Sequence, residues 1–551
     1  MTTGVDRASP GSSESRSAQT DRFVHDRLPP RGQWPRLVYA LPELNIPDQA
    51  NLVEVLFRKA FQNGHADRPF LRSDSVTLSY AGALARVTRI SQLLIESFSL
   101  VPGNRVLLRG GNSVEMALAW LGVVNAGLIA VATMPLLRAK ELGEILAKAQ
   151  PSLALCDAGL TQELEVAHRQ FGAPCQIVPF NSTNKPGTLE ALSSNMNGDF
   201  KPCALLADDI AMMAFTSGTT GKPKAAVHTH RDVLAACEAW PRHVLKARAD
   251  DIVMGSPPLA FTFGLGGMLV FPMWAGASVY YPSISYTPEA MVGLVHQVGA
   301  TITYTAPTFY RQMAAFAQAQ GTRSLRLCVS AGESLPDTTR QLWKDATGIE
   351  IIDGIGATEM FHIFISSAGR DIRKGAIGTV VPGYTARVVD EKGEEVPRGA
   401  LGKLAVIGPT GCRYLDDPRQ TSYVKGGWNF PGDAFTQDVD GYFFFWARAD
   451  DMIITAGYNV AGPEVEEALL AHPAVAECAV VGEPDAERGM VVKAFVVLKG
   501  NQAGDATMVK TLQRHVKATL APFKYPRQIE FLNTLPRTET GKLQRFKLRK
   551  T

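Results

Sequence analysis

From about Val53 to Leu415 the chain alternates two textures. Stretches with a helical apolar period, such as NLVEVLFRKAF (51–61), are separated by short apolar runs ending near Gly, Asp or Ser: VLLRG (106–110), LIAVAT (128–133), SLALCD (152–157) and RLCVSAG (326–332). This alternation indicates an α/β body with largely parallel strands, in which helices serve as crossovers. After Phe430 the pieces shorten: DGYFFFWARADD, a helical PEVEEALLAH, strands AECAVVG and KAFVVLKG, a helix from about Thr507 to Leu520 and a charged tail. The expected layout is a disordered lead over 1–20, a large body over 21–449 and a small α+β domain over 450–551.

At 551 residues, 46% of them hydrophobic, the chain can fill at least two cores. Lys plus Arg number 56 against 53 Asp plus Glu, so the broad basic footprint of a nucleic-acid binder is missing. Seven cysteines, Cys156, Cys175, Cys203, Cys237, Cys328, Cys412 and Cys478, are scattered and never spaced CxxC, which argues against a disulfide framework or zinc site and fits a reducing cytoplasm. The first twenty residues are Ser/Thr-rich without an apolar core, unlike a signal peptide. Met116–Leu137 is apolar enough to suggest a membrane span. Asn125, Ala126 and Gly127 interrupt it, predicting a buried helix from about Val114 and then a strand over Leu128–Thr133.

The densest chemical signal follows the apolar run Ile210–Phe215: Thr216, Ser217, Gly218, Thr219, Thr220, Gly221, Lys222, Pro223, Lys224. Glycines allow a tight bend, backbone N–H groups and hydroxyls can surround a phosphate, and the lysines add positive charge, so the segment reads as a polyphosphate cradle. A P-loop would need G-x-x-x-x-G-K-[ST]; here the glycines are too close and Pro223 follows Lys222.

The segment resembles the phosphate loop of the adenylate-forming superfamily, which includes acyl-CoA and aryl-CoA ligases, firefly luciferase and peptide-synthetase adenylation domains. Four further segments match in order: Gly356-Ala-Thr-Glu359 resembles the GxTE element, Gly432-Asp433 the ribose-binding GD, Ala447–Met452 the GRxDD hinge, and Pro536–Lys542 the loop of the catalytic lysine. Pro431 stands where Thr is usual, and Ala447 where Gly is usual.

The resemblance implies a large AMP- and acyl-binding domain, a mobile C-terminal domain, and a role for each matched residue. Thr358 would meet the α-phosphate and Glu359 would hold Mg²⁺, a hard cation suited to carboxylate oxygen. Asp433 would bind the ribose hydroxyls with Arg448 assisting, and Gly332 and Glu333, in Ser330-Ala-Gly-Glu333, would lie beside adenine. Lys542 would bridge the substrate carboxylate and the α-phosphate as pyrophosphate departs. Asp450 would be the hinge, and Gly457 would line the tunnel through which coenzyme A enters.

The substrate acid is read from Pro257–Gly266, where Phe261 and Phe263 can wall an aromatic ring. Gly356–Ile363 resembles the benzoate–CoA ligase version of its segment, which implies ring-site roles for Gly356, His362, Ile363 and Ala331. Arg27–Arg36 and Ala447–Glu466 look like the 2-aminobenzoate–CoA ligase branch. The resulting expectation is an ATP- and Mg²⁺-dependent aryl–CoA ligase, with a small aromatic acid and coenzyme A as partners, no nucleic acid and no membrane, and a monomer or homodimer. The alternatives are a stand-alone enzyme loading a carrier protein, a medium-chain fatty acyl–CoA ligase, and a non-catalytic nucleotide sensor, whose mark would be loss of Lys542 or Glu359. Both residues are present.

Overall fold

Asn51 opens the first long helix, Leu52–Gln62. Its side chain accepts from the N–H groups of Val53 and Glu54, and Leu52, Val53, Leu56, Phe57 and Ala60 share one buried face. The membrane-like stretch resolves as expected. Ser113 caps a helix over Val114–Asn125 that is buried nearly all round, and the buried strand Ile129–Thr133 follows. Its hydropathy reflects a helix at the centre of a large core. Among the described residues no helix is long and apolar enough to cross a membrane.

The computed structural model describes residues 17–172, 175–182, 185–216, 223–284, 286–448, 451–455, 458–485, 488–500, 502–537 and 543–549. Two sheets form the α/β body. In the first, Gln176–Phe180, Leu153–Asp157, Arg105–Arg109, Ile129–Thr133 and Ile210–Thr216 run parallel, and Lys224–Thr229 closes the edge antiparallel. In the second, a parallel centre of Leu327–Ala331, Ile302–Thr305, Ile252–Gly255 and Ser278–Tyr280 is extended by Ile351–Gly356 and Pro69–Arg72 and finished by antiparallel edges. The α/β class follows from these helix-covered sheets.

Between Thr385 and Arg448 the texture differs from the expected parallel pattern. A third sheet, built from Thr385–Val389, Gly402–Ile407, Asp433–Gln437, Phe443–Arg448 and two short edge strands, is antiparallel throughout. Residues 17–20, expected to belong to a disordered lead, are held in place. The Gln19 amide donates to the Ile210 carbonyl (2.7 Å) and accepts from its N–H (3.1 Å), as a neighbouring strand would.

The smaller C-terminal domain wraps Gly462–Leu470 and Ala506–Thr519 around a sheet of Val475–Asp485 and Gly489–Leu498, flanked by Gln528–Phe531 and the antiparallel pair Ile453–Thr455 and Tyr458–Val460. It touches the body through polar contacts: Glu467 accepts from the Asp337 N–H (2.9 Å), and Arg537 donates to Glu333 (2.9 Å) while keeping Glu477 of its own domain at 2.7 Å.

Candidate active site

Four neighbouring strands of the second sheet end side by side, and their carboxyl ends open into one cavity of about 150 Å³. Ser256 and Pro257 follow the first strand, Ala306 the next, Ala331, Gly332 and Glu333 the third, and Gly356, Ala357 and Thr358 the fourth. This is where an open α/β sheet places a ligand. A cavity of this size accommodates a single benzene ring.

Phe261, Phe263, Phe361, His362 and Ile363 complete the walls. His362 is held by rings: Phe271 at 4.5 Å, Trp240 at 5.3 Å and Phe263 at 5.7 Å between centroids. Two glycines permit that placement. A Cβ on Gly266 would lie 2.5 Å from the imidazole, and one on Gly356 would lie 2.5 Å from the His362 carbonyl oxygen. Burial pushes the His362 pKa down to about 3, opposed only by the Phe263 backbone, so the ring is neutral. Neither of its nitrogens has a hydrogen-bond partner of ordinary geometry. Phe361 has φ +71°, which few L-residues adopt, and backbone strain of this kind concentrates at ligand sites.

The flank beside Thr358 and Glu359 is polar. The antiparallel pair Ile210–Thr216 and Lys224–Thr229 brings Thr216 opposite Lys224. The Tyr414 hydroxyl accepts from Lys224 Nζ (3.0 Å) and donates to Glu359 Oε1 (2.5 Å), while Lys224 and Glu359 themselves stand 3.8 Å apart. Burial, with the Glu359 carboxylate beside it, pushes the phenol far above its usual range, so Tyr414 stays a donor. His228 Nε2 lies 2.8 Å from the Thr358 carbonyl; since a carbonyl only accepts, that nitrogen carries the proton. Burial lowers the His228 pKa and keeps it in this neutral form.

Asp433 and Arg448 face each other across the third sheet, with Nη1–Oδ1 at 3.1 Å. Burial works against the Arg448 charge, but Asp433, Tyr423 and the more distant Glu359 raise its pKa. Glu333 is engaged at the cavity mouth by Thr308 (2.9 Å) and Arg537.

Thus Phe261, Phe263, Ala331, Gly332, Glu333, Gly356, Thr358, His362 and Ile363 share one cavity, and Glu359, Lys224 and Thr216 form its polar flank. Ser217, Gly218, Thr219, Thr220, Gly221, Asp450, Gly457 and Lys542 lie outside the described residues. Tyr414 and His228 were not singled out by the sequence. Among the described residues no group of three or more His, Cys, Asp or Glu could hold a metal ion. A lone carboxylate such as Glu359 suits Mg²⁺, which takes its remaining ligands from phosphates and water.

The family model of the AMP-binding enzyme matches residues 57–413, and that of the AMP-binding enzyme C-terminal domain matches 464–542. A benzoate–CoA ligase of Thauera aromatica is 34% identical over 513 residues, covering 92% of this chain and 97% of that protein. The solved structure of the anthranilate CoA ligase AuaEII in complex with anthranoyl-AMP superposes with a TM-score of 0.86 at 33% identity, over 92% of this chain and 98% of the other. For a benzoate CoA ligase from Burkholderia xenovorans LB400 the TM-score is 0.83 at 32% identity, over 91% and 100%.

Proposed function

Because this chain belongs to the AMP-binding enzyme family, we propose that it joins a small aromatic carboxylate of benzoate type to AMP and passes the aryl group to coenzyme A. The observation that carries this reading is the ring-sized cavity, walled by Phe261, Phe263 and Phe361, that opens at the strand ends beside Thr358.

In the first half-reaction a carboxylate oxygen attacks the α-phosphorus of ATP and the bond to pyrophosphate breaks. Two anions must approach, so the protein's contribution is positioning and charge neutralisation. The cavity wall fixes the ring, Thr358 meets the α-phosphate, and Lys542 spans carboxylate and phosphate. Glu359 would hold Mg²⁺, which when bound would supply charge neutralisation between the phosphates. Asp433 and Arg448 take the ribose, Gly332 and Glu333 the adenine side, and Thr216, the Ser217–Gly221 loop and Lys224 the outer phosphates.

In the second half-reaction the thiol of coenzyme A attacks the aryl-AMP carbonyl, and AMP leaves. The C-terminal domain turns about Asp450 between the two steps and brings Gly457 to the thiol passage. His362 adds a refinement of substrate. Its two unpartnered nitrogens suit an ortho amino or hydroxyl group, which makes 2-aminobenzoate the preferred ring.

The test is product analysis. With ATP, Mg²⁺, coenzyme A and 2-aminobenzoate, the enzyme should yield 2-aminobenzoyl-CoA, AMP and pyrophosphate in equal amounts. ADP and phosphate instead of AMP, or an aryl-AMP that never becomes a thioester, would refute the assignment.

A further inference from the structure

We propose that Tyr414 is a positioning residue: its hydroxyl is a neutral spacer that keeps the Lys224–Glu359 pair from closing to a direct hydrogen-bonded contact and so keeps both available to MgATP. The proposal rests on the reading above that Glu359 takes Mg²⁺ and Lys224 an outer phosphate.

The geometry is that of an interposed group. The Lys224–Glu359 separation of 3.8 Å lies within Coulombic reach but beyond direct hydrogen-bond length. Both side chains are mostly withdrawn from water, 21% and 11% exposed, where a direct charge-assisted bond would be strong and costly to open. The phenol sits between them, accepting from the ammonium and donating to the carboxylate. Each charge then retains spare capacity. Lys224 has donors left over, and Glu359 Oε2 has no hydrogen-bond partner among the described residues.

Tyr414 is itself held firmly. It is fully buried, its ring lies edge-on to Tyr423 at 5.8 Å, and its N–H donates to Gln420 Oε1 at 2.9 Å. The Gln420 amide donates in turn to the carbonyls of Cys412 (3.1 Å) and Gln33 (2.8 Å), so the spacer is fixed to the backbone on two sides. An arriving nucleotide therefore displaces a neutral hydroxyl from each charge and has no direct hydrogen bond between the two charges to break.

Tyr414→Phe tests this, since it keeps the ring and its packing. Calorimetric titration without the aryl acid should show the MgATP Kd rising about tenfold, with metal-free AMP, which lacks the outer phosphates, changing by less than about twofold. In a Lys224→Met background, where no ion pair can close, the same substitution should change the MgATP Kd by less than about twofold. Unchanged MgATP binding by Tyr414→Phe, equal weakening of AMP, or an undiminished effect in the Lys224→Met background would overturn the spacer. Glu359→Gln separates this from the underlying reading. If it binds MgATP like wild type, the metal assignment falls and takes the spacer with it; if it weakens MgATP while Tyr414→Phe does not, the spacer alone falls.

Discussion

The two sides of the candidate active site are built on opposite principles. The side proposed to take the acyl group is apolar: its rings pack on one another, and neither nitrogen of His362 has a hydrogen-bond partner of ordinary geometry. The side proposed to meet the phosphates is charged, with Lys224, Tyr414 and Glu359 satisfying one another. The contrast matches what each is proposed to recognise. A flat ring gains from a preformed dry wall, because apolar contact costs nothing to hold ready. A polyphosphate needs full charges, and charges withdrawn from water must be paired until the ligand comes.

The largest effect is expected at Lys542, which is proposed above to act on the carboxylate and the α-phosphate in the first half-reaction. Lys542→Ala should slow pyrophosphate release by about 10²–10³-fold, while thioester formation from supplied aryl-AMP falls far less. Rapid-quench measurement of the separate half-reactions checks this, and equal losses would remove the distinction between a first-step lysine and a general structural one.

On the acyl side, Gly356→Ala would drive a Cβ into the His362 carbonyl oxygen at 2.5 Å, against backbone that cannot easily yield. Overpacking of this kind costs about 1–3 kcal/mol, so kcat/KM for the aryl acid should fall by about tenfold or more. The KM for ATP should rise by less, because the outer phosphates are proposed to meet Lys224 and Glu359 on the polar flank, although Thr358 lies only two residues on. A matching rise in the ATP KM would show that the two sides are not separable.

His362→Leu is gentler, since it keeps the apolar bulk and removes the two nitrogens. It should lower the preference for 2-aminobenzoate over benzoate by about tenfold through loss of a buried hydrogen bond. Competition between the two acids at equal concentration measures the ratio, and an unchanged ratio would make His362 a plain wall residue.

Much of this was legible in the sequence, for reasons that differ by region. The helix Val114–Asn125 and the strand after it could be read because both are local, with an N-cap serine at one end and a glycine-containing stop at the other. Most cavity residues could be read because they cluster in three short segments, near 257–266, 330–333 and 356–363, whereas Ala306 on a fourth was not singled out. The antiparallel sheet over 385–448 escaped because its edge strands, Val424–Lys425 and Trp428–Asn429, have two residues each and too little period to detect. Tyr414 and His228 escaped because their roles arise from contacts across 55 and 130 residues of chain, which no local pattern records. Gln19 was placed in a disordered lead because its neighbours are polar, yet its amide substitutes for a strand neighbour of Ile210.

The smallest effect concerns stability near the site. Asp353, on the strand that ends at Gly356, has its pKa pushed up to about 7 by burial, with Arg340 at 3.9 Å only partly compensating. The folded state holds this proton more tightly than the unfolded chain does. The contribution is therefore fully present below the usual aspartate pKa of about 3.8 and is lost as pH rises towards 7. Asp353→Asn should raise the Tm by a few degrees at pH 8 and by less at pH 5. A larger gain at pH 5 would reverse the sign of the argument.

The central claim is that the dry side selects a flat aromatic ring before the charged side does chemistry on it. Acid-dependent pyrophosphate release, measured across 2-aminobenzoate, benzoate, 2-hydroxybenzoate, phenylacetate and octanoate, tests it most directly. The account predicts that kcat/KM for 2-aminobenzoate and benzoate exceeds that for octanoate by at least about a hundredfold, the scale on which an ill-fitting group is refused by a packed cavity. Octanoate turned over as well as benzoate would contradict it.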